Sequence, residues 1–276
     1  MMTQDDTRAP RGEPDQTWSR LLAACHGGRV HEPSREAGAP PPADLMALPP
    51  AAAASVLWRR YAPLARPVDR RVRVVAQLGQ SLDGRIATPI GHSHYVTGPA
   101  DRVHLHRLRA LSDAVLVGAG TVMADDPRLT VREVDGPQPV RVVVADRDGL
   151  ERRRALFRDA AAPTWGLAPR RVTLPPVDRR LSPADTAPAS VLATLAEAGI
   201  ERLLIEGGAR TVSAWLSAGL VDHLYLVVAP VIIGSGPTGL QLPPIRHMDE
   251  AWRPAVEQFA LGDDRLYRLD FSAASV

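Results

Sequence analysis

Hydrophobic residues from position 70 onward follow two different spacings. Short runs of consecutive apolar residues are typical of buried strands, and apolar residues three or four positions apart are typical of helices. Strand-like runs occupy residues 72–78, 114–117, 140–144, 203–205, 224–229 and 256–271. Helical spacing occurs between them at residues 100–112 and 209–220. The pattern therefore predicts strands and helices that alternate along the chain.

The order of these elements predicts the fold class. Strands that alternate with helices form an α/β fold, with a mostly parallel sheet covered on both faces. No helical pattern separates the last strand-like runs, so we expect antiparallel pairing there. The proline-rich stretch 163–188 is interpreted as loops around one strand. Because Pro127 interrupts any helix after residue 117, no full-length crossover helix is expected at that point.

The first 67 residues differ from the rest in composition. They are rich in Pro, Ala and Gly, with three successive prolines at 40–42, and helical spacing is found only at 17–25 and 51–61. We interpret residues 1–67 as a helical extension of unknown role. Pro67 marks the predicted boundary, and residues 68–276 form the main domain.

Composition excludes several classes of protein. The net charge of +2 gives no field strong enough to indicate nucleic-acid binding. No apolar run approaches the ~20 residues of a membrane span. The polar N-terminus has no apolar signal region. Cys25 is the single cysteine, so no internal disulfide can form, which fits a reducing compartment. We expect a cytoplasmic protein that binds neither membrane nor nucleic acid.

Glycine and polar residues follow four of the predicted strands. These segments are 79–84, 118–126, 146–149 and 206–208. In open α/β sheets, ligands bind beyond the carboxyl ends of the strands. We therefore expect the four segments to line one polar cleft.

Glu206 and the pair Gly207–Gly208 stand between a predicted strand and a predicted helix. The first N–H groups of a helix are unpaired and lie at its positive end, so they bind phosphate. Glycine allows the backbone to approach that anion closely. A carboxylate at the same edge can accept N–H bonds from a heterocycle. The alternative is an ordinary strand–helix turn with a solvated glutamate.

A basic face is predicted on the helix that follows residue 98. Pro99 and Asp101 suit its first turn, and Arg102, His106 and Arg109 share one face. A guanidinium near the cleft suits a phosphate monoester, because it can form two parallel hydrogen bonds. The alternative is a solvated basic face.

Three motifs together resemble a known family. They are the segments Ser81-Leu-Asp-Gly-Arg-Ile-Ala87, residues 119–132 (AGTVMADDPRLTVR) and Ile205-Glu-Gly-Gly208. They resemble the pyrimidine reductase of bacterial riboflavin biosynthesis, the C-terminal half of a bifunctional deaminase–reductase. The resemblance covers about residues 70–272. It implies a dihydrofolate-reductase-like three-layer fold, a homodimer, and NADPH-dependent reduction of 5-amino-6-(5-phosphoribosylamino)uracil to the ribitylamino product.

The resemblance also assigns roles to residues. Its implied cofactor contacts are Gly79, Tyr95, Thr121, Asp125, Asp146 and the pyrophosphate-binding turn with Gly207, Gly208, Ala209, Arg210 and Thr211. Its implied substrate contacts are Ser93, Arg109, Leu129, Arg132 and Glu206. The two arginines would hold the phosphate, and Glu206 would face the pyrimidine.

Arg147 and Asp125 have more specific predicted roles. Arg147 follows a strand beside the cleft and could pair with the 2′-phosphate of NADPH. Asp125 is the candidate general acid, or the group that assists opening of the sugar ring. The alternative for Asp125 is a capping role before Pro127.

The chain departs from the family pattern in two respects. Gln77 stands where many members have lysine, which leaves open a related NADPH-dependent reductase of another pyrimidine or a pterin. One cysteine cannot supply the ligands of the family's zinc deaminase. We therefore expect no metal site and a stand-alone reductase, which leaves open a separate deaminase as a partner. A non-catalytic nucleotide-binding module is the remaining alternative.

Overall fold

One nine-stranded sheet runs through the part of the chain that the computed structural model describes, namely residues 16–27, 56–66, 72–94 and 96–272. Its strands are β1 (Arg73–Ser81), β2 (Ala114–Gly118), β3 (Val140–Val144), β4 (Thr164–Leu167), β5 (Arg179–Leu181), β6 (Arg202–Ile205), β7 (His223–Ala229), β8 (Ala255–Leu261) and β9 (Asp264–Asp270). The helices are α1 (Gln16–His26), α2 (Val56–Ala65), α3 (Pro99–Ala110), α4 (Ala119–Asp125), α5 (Ala155–Arg158), α6 (Pro188–Glu197) and α7 (Ala209–Ser217), with a 3₁₀ turn at Met248–Glu250.

The strand order is β5-β4-β3-β2-β6-β1-β7-β9-β8. All neighbours from β5 to β7 pair in parallel, whereas β9 pairs antiparallel with both β7 and β8. This confirms the predicted parallel sheet with antiparallel C-terminal strands. Parallel strands put their carboxyl ends at one edge, so β1, β2, β3 and β6 all end there.

The two faces of the sheet carry separate hydrophobic cores. Successive strand residues point to opposite faces, and in β1 Val75 packs in one core while Val74 packs in the other. Helices α1, α2 and α3 cover the Val75 face. Helices α6 and α7 cover the Val74 face. The described residues therefore form the three layers that the sequence predicts.

Several predicted element boundaries were wrong. The stretch 163–188 contains two strands, β4 and β5, and helix α6 follows it without having been predicted. Both strands are too short to show a period, and Arg179 and Arg180 of β5 are exposed at the sheet edge. Helix α7 ends at Ser217 rather than 220, because Gly219 adopts a left-handed conformation (φ 66°). Helix α4 has seven residues, as Pro127 predicts.

Helices α1 and α2 lie on the same core as α3. Helix α2 (Val56–Ala65) continues past residue 61, where the prediction ended it. The predicted start, residues 51–55, lies outside the described residues. Leu21 and Tyr61 are fully buried. The Tyr61 hydroxyl hydrogen-bonds His104 Nδ1 on α3 at 2.6 Å, and the Tyr225 hydroxyl donates to Arg60 O at 2.7 Å. The boundary at Pro67 stays a prediction, since residue 67 is not described.

Within the described ranges, no helix is both long and apolar enough to cross a membrane.

Candidate active site

A cavity of about 1250 Å³ opens at the carboxyl ends of β1, β2, β3 and β6. The last residues of β1, β2 and β3 and the residues directly after β6 line it, as the sequence predicts. The predicted site residues in the lining are Gly79, Ser93, Thr121, Asp125, Leu129, Asp146, Arg147, Glu206, Gly207, Gly208, Ala209, Arg210 and Thr211. Arg109 and Arg132 lie outside the lining, and Tyr95 lies outside the described residues. We refer to this space as the central cavity.

Arg109 and Glu206 form a buried ion pair beside the central cavity. Arg109 Nε donates to Glu206 Oε1 at 2.6 Å, and Nη2 donates to Oε2 at 2.7 Å. The third guanidinium nitrogen, Nη1, donates to Thr130 O at 2.9 Å. The two residues are 6% and 9% exposed, so neither is the solvated side chain of the alternative interpretations. Arg109 therefore fixes the Glu206 carboxylate at the cavity wall.

Arg132 lies close to Arg109 on the segment after α4. Burial and the charge of Arg109 lower the pKa of Arg132. Two neighbouring guanidinium groups repel each other, and an anion bound between them relieves that repulsion. The position therefore suits a phosphate, although Arg109 already donates to protein acceptors with all three nitrogens.

His106 on α3 hydrogen-bonds the backbone of this segment. Its Nδ1 accepts the Arg132 N–H at 2.8 Å. Burial and the charge of Arg109 lower the pKa of His106 to about 3, so the ring is neutral. The predicted basic face was wrong for His106, which is buried and acts as an acceptor.

The turn between β6 and α7 is closely packed. The Gly208 N–H donates to Thr121 Oγ1 on α4 at 3.0 Å. A Cβ at Gly207 would lie 2.5 Å from the Cβ of Thr211, so only glycine fits there. Ala209 and Arg210, in the first turn of α7, line the central cavity. The turn thus presents a helix N-terminus to the cavity, as an anion-binding turn requires.

A second set of polar side chains lies next to Gly79. We call Gln77, Thr97 and Asp101 the Asp101 cluster. Thr97 Oγ1 donates to Asp101 Oδ2 at 2.7 Å, and Gln77 Nε2 donates to Asp101 Oδ1 at 3.2 Å. All three residues line the central cavity. A Cβ at Gly79 would lie 2.8 Å from Thr97 Cγ2, so the chain is closely packed here too.

The amino-acid sequence of the domain that holds this cavity also matches a protein family. A family model, the RibD C-terminal domain, matches residues 72–258. The chain belongs to the RibD C-terminal domain family.

Two RibD-type relatives show the extent of the match. RibD of Mycobacterium tuberculosis is 35% identical over 177 residues, which cover 63% of this chain and 46% of the relative. The 2,5-diamino-6-ribosylamino-4(3H)-pyrimidinone 5′-phosphate reductase of Methanothermobacter thermautotrophicus is 39% identical over 177 residues, 59% of this chain and 80% of the relative. The chain thus spans about half the length of the RibD relative and most of the archaeal one.

Solved RibD-type structures share the fold. Acinetobacter baumannii RibD superposes with a TM-score of 0.64 at 29% identity, over 82% of this chain and 63% of that chain. The deaminase/5-amino-6-(5-phosphoribosylamino)uracil reductase of Thermotoga maritima also gives 0.64, at 28% identity, over 73% of this chain and 57% of that one.

Asp125, the predicted general acid, lines the central cavity. It is the last residue of α4 and is exposed. Burial of part of its carboxyl raises the pKa of Asp125, and the charge of His94 lowers it. The neighbouring Asp126 makes the local backbone contact, accepting the Ala155 N–H at 2.7 Å. This contact lies at the start of α5, so the capping role of Asp125 before Pro127 stays a prediction.

Asp101 is the site residue that sequence reasoning missed. Its place in the first turn of α3, after Pro99, is that of any acidic residue at a helix start. The structure shows in addition that Asp101 lines the central cavity. Among the described residues, no three His, Cys, Asp or Glu side chains are placed to hold a metal ion together.

Proposed function

We propose that the protein reduces a ribosylaminopyrimidine 5′-phosphate with NADPH. The observation that carries this proposal is the Glu206 carboxylate, fixed by Arg109 beside the first turn of α7. The end of β6 thereby offers an acceptor for ring N–H groups, and the adjoining start of α7 offers a helix N-terminus for a pyrophosphate. The names of the RibD-type relatives support the same reaction.

The cofactor part of the proposal rests on how the turn and Gly79 fit a dinucleotide. The helix N-terminus suits the pyrophosphate, and Gly79, which lines the central cavity without a side chain, lets a planar ring approach the backbone. Thr121, Asp125 and Asp146 are the further proposed contacts. A reduced nicotinamide supplies a hydride when it is bound.

Preference for NADPH over NADH is proposed to depend on Arg147. Arg147 lines the central cavity, and its guanidinium would attract a 2′-phosphate that the neighbouring Asp146 repels. Fluorescence titration should show tighter binding of NADPH than of NADH. Arg147→Ala should narrow the difference, and equal affinities in the unmodified protein would reject this assignment.

The substrate part of the proposal uses the Glu206 carboxylate and the segment after α4. Glu206 accepts pyrimidine N–H groups, Arg109 and Arg132 attract the phosphate, and Ser93 and Leu129 line the space between. Because Arg109 is already paired, Arg132 is the better test of phosphate binding. Arg132→Ala removes a charge-assisted contact of about 1.5–3 kcal/mol. It should therefore raise KM much more than it lowers kcat, since the phosphate is remote from the reacting carbon.

Two pyrimidines fit this arrangement. The first is 5-amino-6-(5-phosphoribosylamino)uracil. The second is its 2,5-diaminopyrimidinone counterpart, favoured by the 39% identity to the archaeal reductase named for that compound. Both present N–H groups that a carboxylate can accept, so Glu206 suits either.

The deciding experiment is anaerobic NADPH oxidation with each pyrimidine in turn, with dihydrofolate in parallel. Oxidation with a phosphorylated pyrimidine and none with dihydrofolate is the expected result. Oxidation with dihydrofolate alone would favour a pterin reductase. No oxidation with any of them, despite NADPH binding, would favour a non-catalytic nucleotide-binding module.

We also propose that the protein forms a homodimer. Large apolar side chains are exposed in the loops after β1 and β7, including Leu82, Ile90 and Ile232. Exposed apolar patches mark association surfaces. Light scattering after gel filtration should give a dimer, and Ile232→Glu should shift it toward the monomer.

A further inference from the structure

Four carboxyl groups line the central cavity, and their surroundings differ. Glu206 is paired with Arg109, and Asp125 and Asp146 are exposed. Asp101 is only 6% exposed, and both of its side-chain hydrogen-bond donors, Thr97 and Gln77, are neutral. Asp101 is therefore the one carboxyl in the lining that is buried without a cation among its hydrogen-bond partners.

The position of Asp101 places it between the proposed cofactor and substrate. Its Oδ2 lies 3.5 Å from where a Cβ on Gly79 would stand, at the proposed nicotinamide contact. On the sheet, Ala76 is in register with Ile205, so the next residues along the parallel strands, Gln77 and Glu206, are neighbours. The Asp101 cluster thus adjoins the proposed nicotinamide contact on β1 and the proposed pyrimidine contact on β6.

We propose that Asp101 is the proton donor of the reduction, an inference that rests on the proposed function. The reaction needs one hydride and one proton. The C1′–O4′ bond of the ribosylamino group breaks, and O4′ takes the proton from the Asp101 carboxyl. The nitrogen lone pair forms a C=N bond to C1′, and the hydride from the reduced nicotinamide then adds to C1′. Water returns a proton to Asp101 after the product leaves.

Burial explains why Asp101 holds a proton near neutrality. A buried carboxylate without a cation is costly. Burial raises the pKa of Asp101 to about 6, and the charges of Asp264 and Glu206 raise it too. Hydrogen bonds from Thr97 and Gln77 act in the opposite direction. A general acid works best when its pKa lies near the operating pH.

Gln77 is the second reason for the assignment. An ammonium at this distance would hold Asp101 as a carboxylate, but the residue that donates here is an amide. The Gln77 amide is neutral and cannot supply a proton. Only its NH₂ end can donate to a carboxyl oxygen, so the contact with Asp101 fixes the orientation of the amide. The carboxyl is therefore the group in the Asp101 cluster that can deliver a proton.

The charged groups around Asp101 define the variants for its test. Asp264, at the start of β9, accepts the Gly98 N–H at 2.7 Å. Glu206 is paired with Arg109. His104 on α3 is neutral, because burial lowers its pKa well below the usual value. Thr97→Val removes a hydrogen bond that lowers the pKa of Asp101, and Asp264→Asn removes a charge that raises it.

The first test is the pH dependence of kcat with the phosphoribosylamino-pyrimidine and saturating NADPH. The acid must be protonated, so kcat should fall as pH rises through the pKa of Asp101. Thr97→Val should move this fall to higher pH, and Asp264→Asn should move it to lower pH. Asp101→Asn should lower kcat by about 100-fold or more and remove the fall. Asp125→Asn should retain it.

The second test needs no substrate. The ¹³C carboxyl resonance of Asp101, assigned by its loss in Asp101→Asn, is titrated in the ligand-free protein. A midpoint well above the ordinary ~4 of aspartate, moved in opposite directions by Thr97→Val and Asp264→Asn, is expected. A midpoint at or below the ordinary value would overturn the proposal.

The kinetic outcomes separate this proposal from the function on which it rests. If the unmodified protein oxidises NADPH with neither pyrimidine, both are rejected. If it turns over a pyrimidine and Asp101→Asn retains kcat within a factor of about 3 with the same pH profile, Asp101 alone is rejected. A fall in kcat that Asp125→Asn removes and Asp101→Asn keeps would assign the proton to Asp125 instead.

Discussion

Arg109 and Glu206 are joined by two parallel hydrogen bonds of 2.6 and 2.7 Å that tie α3 to the end of β6. Neither side chain has another oppositely charged partner among the described contacts, and both are buried. The pair therefore does two things at once. It closes the interface of helix and sheet, and it presents a carboxylate of fixed orientation to the central cavity.

Glu206→Gln should accordingly lower both stability and substrate affinity. The change leaves the Arg109 charge buried without its partner, which costs about 3 kcal/mol or more. It also replaces one acceptor oxygen of the carboxylate with a donor. Urea unfolding measures the first effect, and KM for the pyrimidine measures the second, while NADPH affinity should stay nearly unchanged.

Glu151→Gln is the matched control for this prediction. Glu151 pairs with both Arg153 and Arg154 at 2.9 Å near the surface, where each such pair contributes about 0–1 kcal/mol. Equal stability of the two variants would show that the Arg109–Glu206 pair does not support the fold. Loss of NADPH binding in Glu206→Gln would instead move Glu206 to the cofactor side.

Gly207 and Gly208 should respond differently to alanine. A Cβ at Gly207 would lie 2.5 Å from Thr211 Cβ, whereas a Cβ at Gly208 meets only Thr121 Oγ1, at 3.5 Å. Gly207→Ala should therefore displace the start of α7 and lower the melting temperature. Gly208→Ala should leave stability unchanged and weaken NADPH binding, because its methyl group would stand where the pyrophosphate approaches.

Calorimetry and NADPH titration on both glycine variants check this prediction. Unchanged NADPH affinity in Gly208→Ala would place the pyrophosphate away from the turn. An unchanged melting temperature in Gly207→Ala would show that Thr211 can move aside without cost.

The strand ends of this fold were predictable because each depends on local sequence. The apolar run 203–205 predicts a strand by itself. Glu206 and the two glycines that follow it predict a turn and the start of a helix. The Arg109–Glu206 pair was not predictable in the same way. Its members are 97 residues apart, and Arg109 has the spacing of an ordinary surface arginine.

Asp101 shows the same limit more sharply. An acidic residue in the first turn of a helix is explained by the helix dipole alone. Its contact with Gln77 spans 24 residues and depends on how α3 lies over β1. The helices α1 and α2 were predictable as helices, but their packing was not. Tyr61 and His104 lie 43 residues apart, and nothing in the sequence around either residue indicates their contact.

Removal of residues 1–67 should unfold the protein or sharply destabilise it. Tyr61 and Leu21 are fully buried in the core that α3 and the sheet share, and Arg202 Nε donates to Leu64 O at 3.0 Å. A chain that begins at Val68 would expose this core. Circular dichroism and denaturant unfolding measure the effect, and a stable, active truncated protein would contradict it.

Single substitutions test the same interface without truncation. Leu21→Ala should cost about 2–5 kcal/mol as a core cavity. Tyr61→Phe should cost about 1–3 kcal/mol, because His104 Nδ1 loses its partner in the core. Met248→Ala is the control, since Met248 is 71% exposed and should change stability by less than about 0.5 kcal/mol.

Asp101 should also be visible in stability, independently of any reaction. Its pKa is raised from an ordinary value near 4 in the unfolded chain to about 6 in the fold. A group whose pKa is raised by folding contributes most below its unfolded pKa, and that contribution is lost as pH rises through the folded pKa. Stability from Asp101 should therefore fall between about pH 4 and pH 6 and stay low above it.

Asp101→Asn should consequently be more stable than the unmodified protein at about pH 8, by on the order of 3 kcal/mol, and nearly equal to it at about pH 4.

Asp83→Asn is the control of opposite sign. Hydrogen bonds from Ser81 and from the N–H groups of Ile233 and Gly234 lower the pKa of Asp83 to about 2. Its contribution is present above the ordinary value and is lost in acid, so Asp83→Asn should be less stable at high pH. Urea unfolding across this range measures both variants. We expect Asp101→Asn to gain stability and to lose turnover, the combination typical of a buried acid that serves the reaction rather than folding. Equal stability of the two proteins at high pH would show that burial of the Asp101 carboxylate does not destabilise the fold.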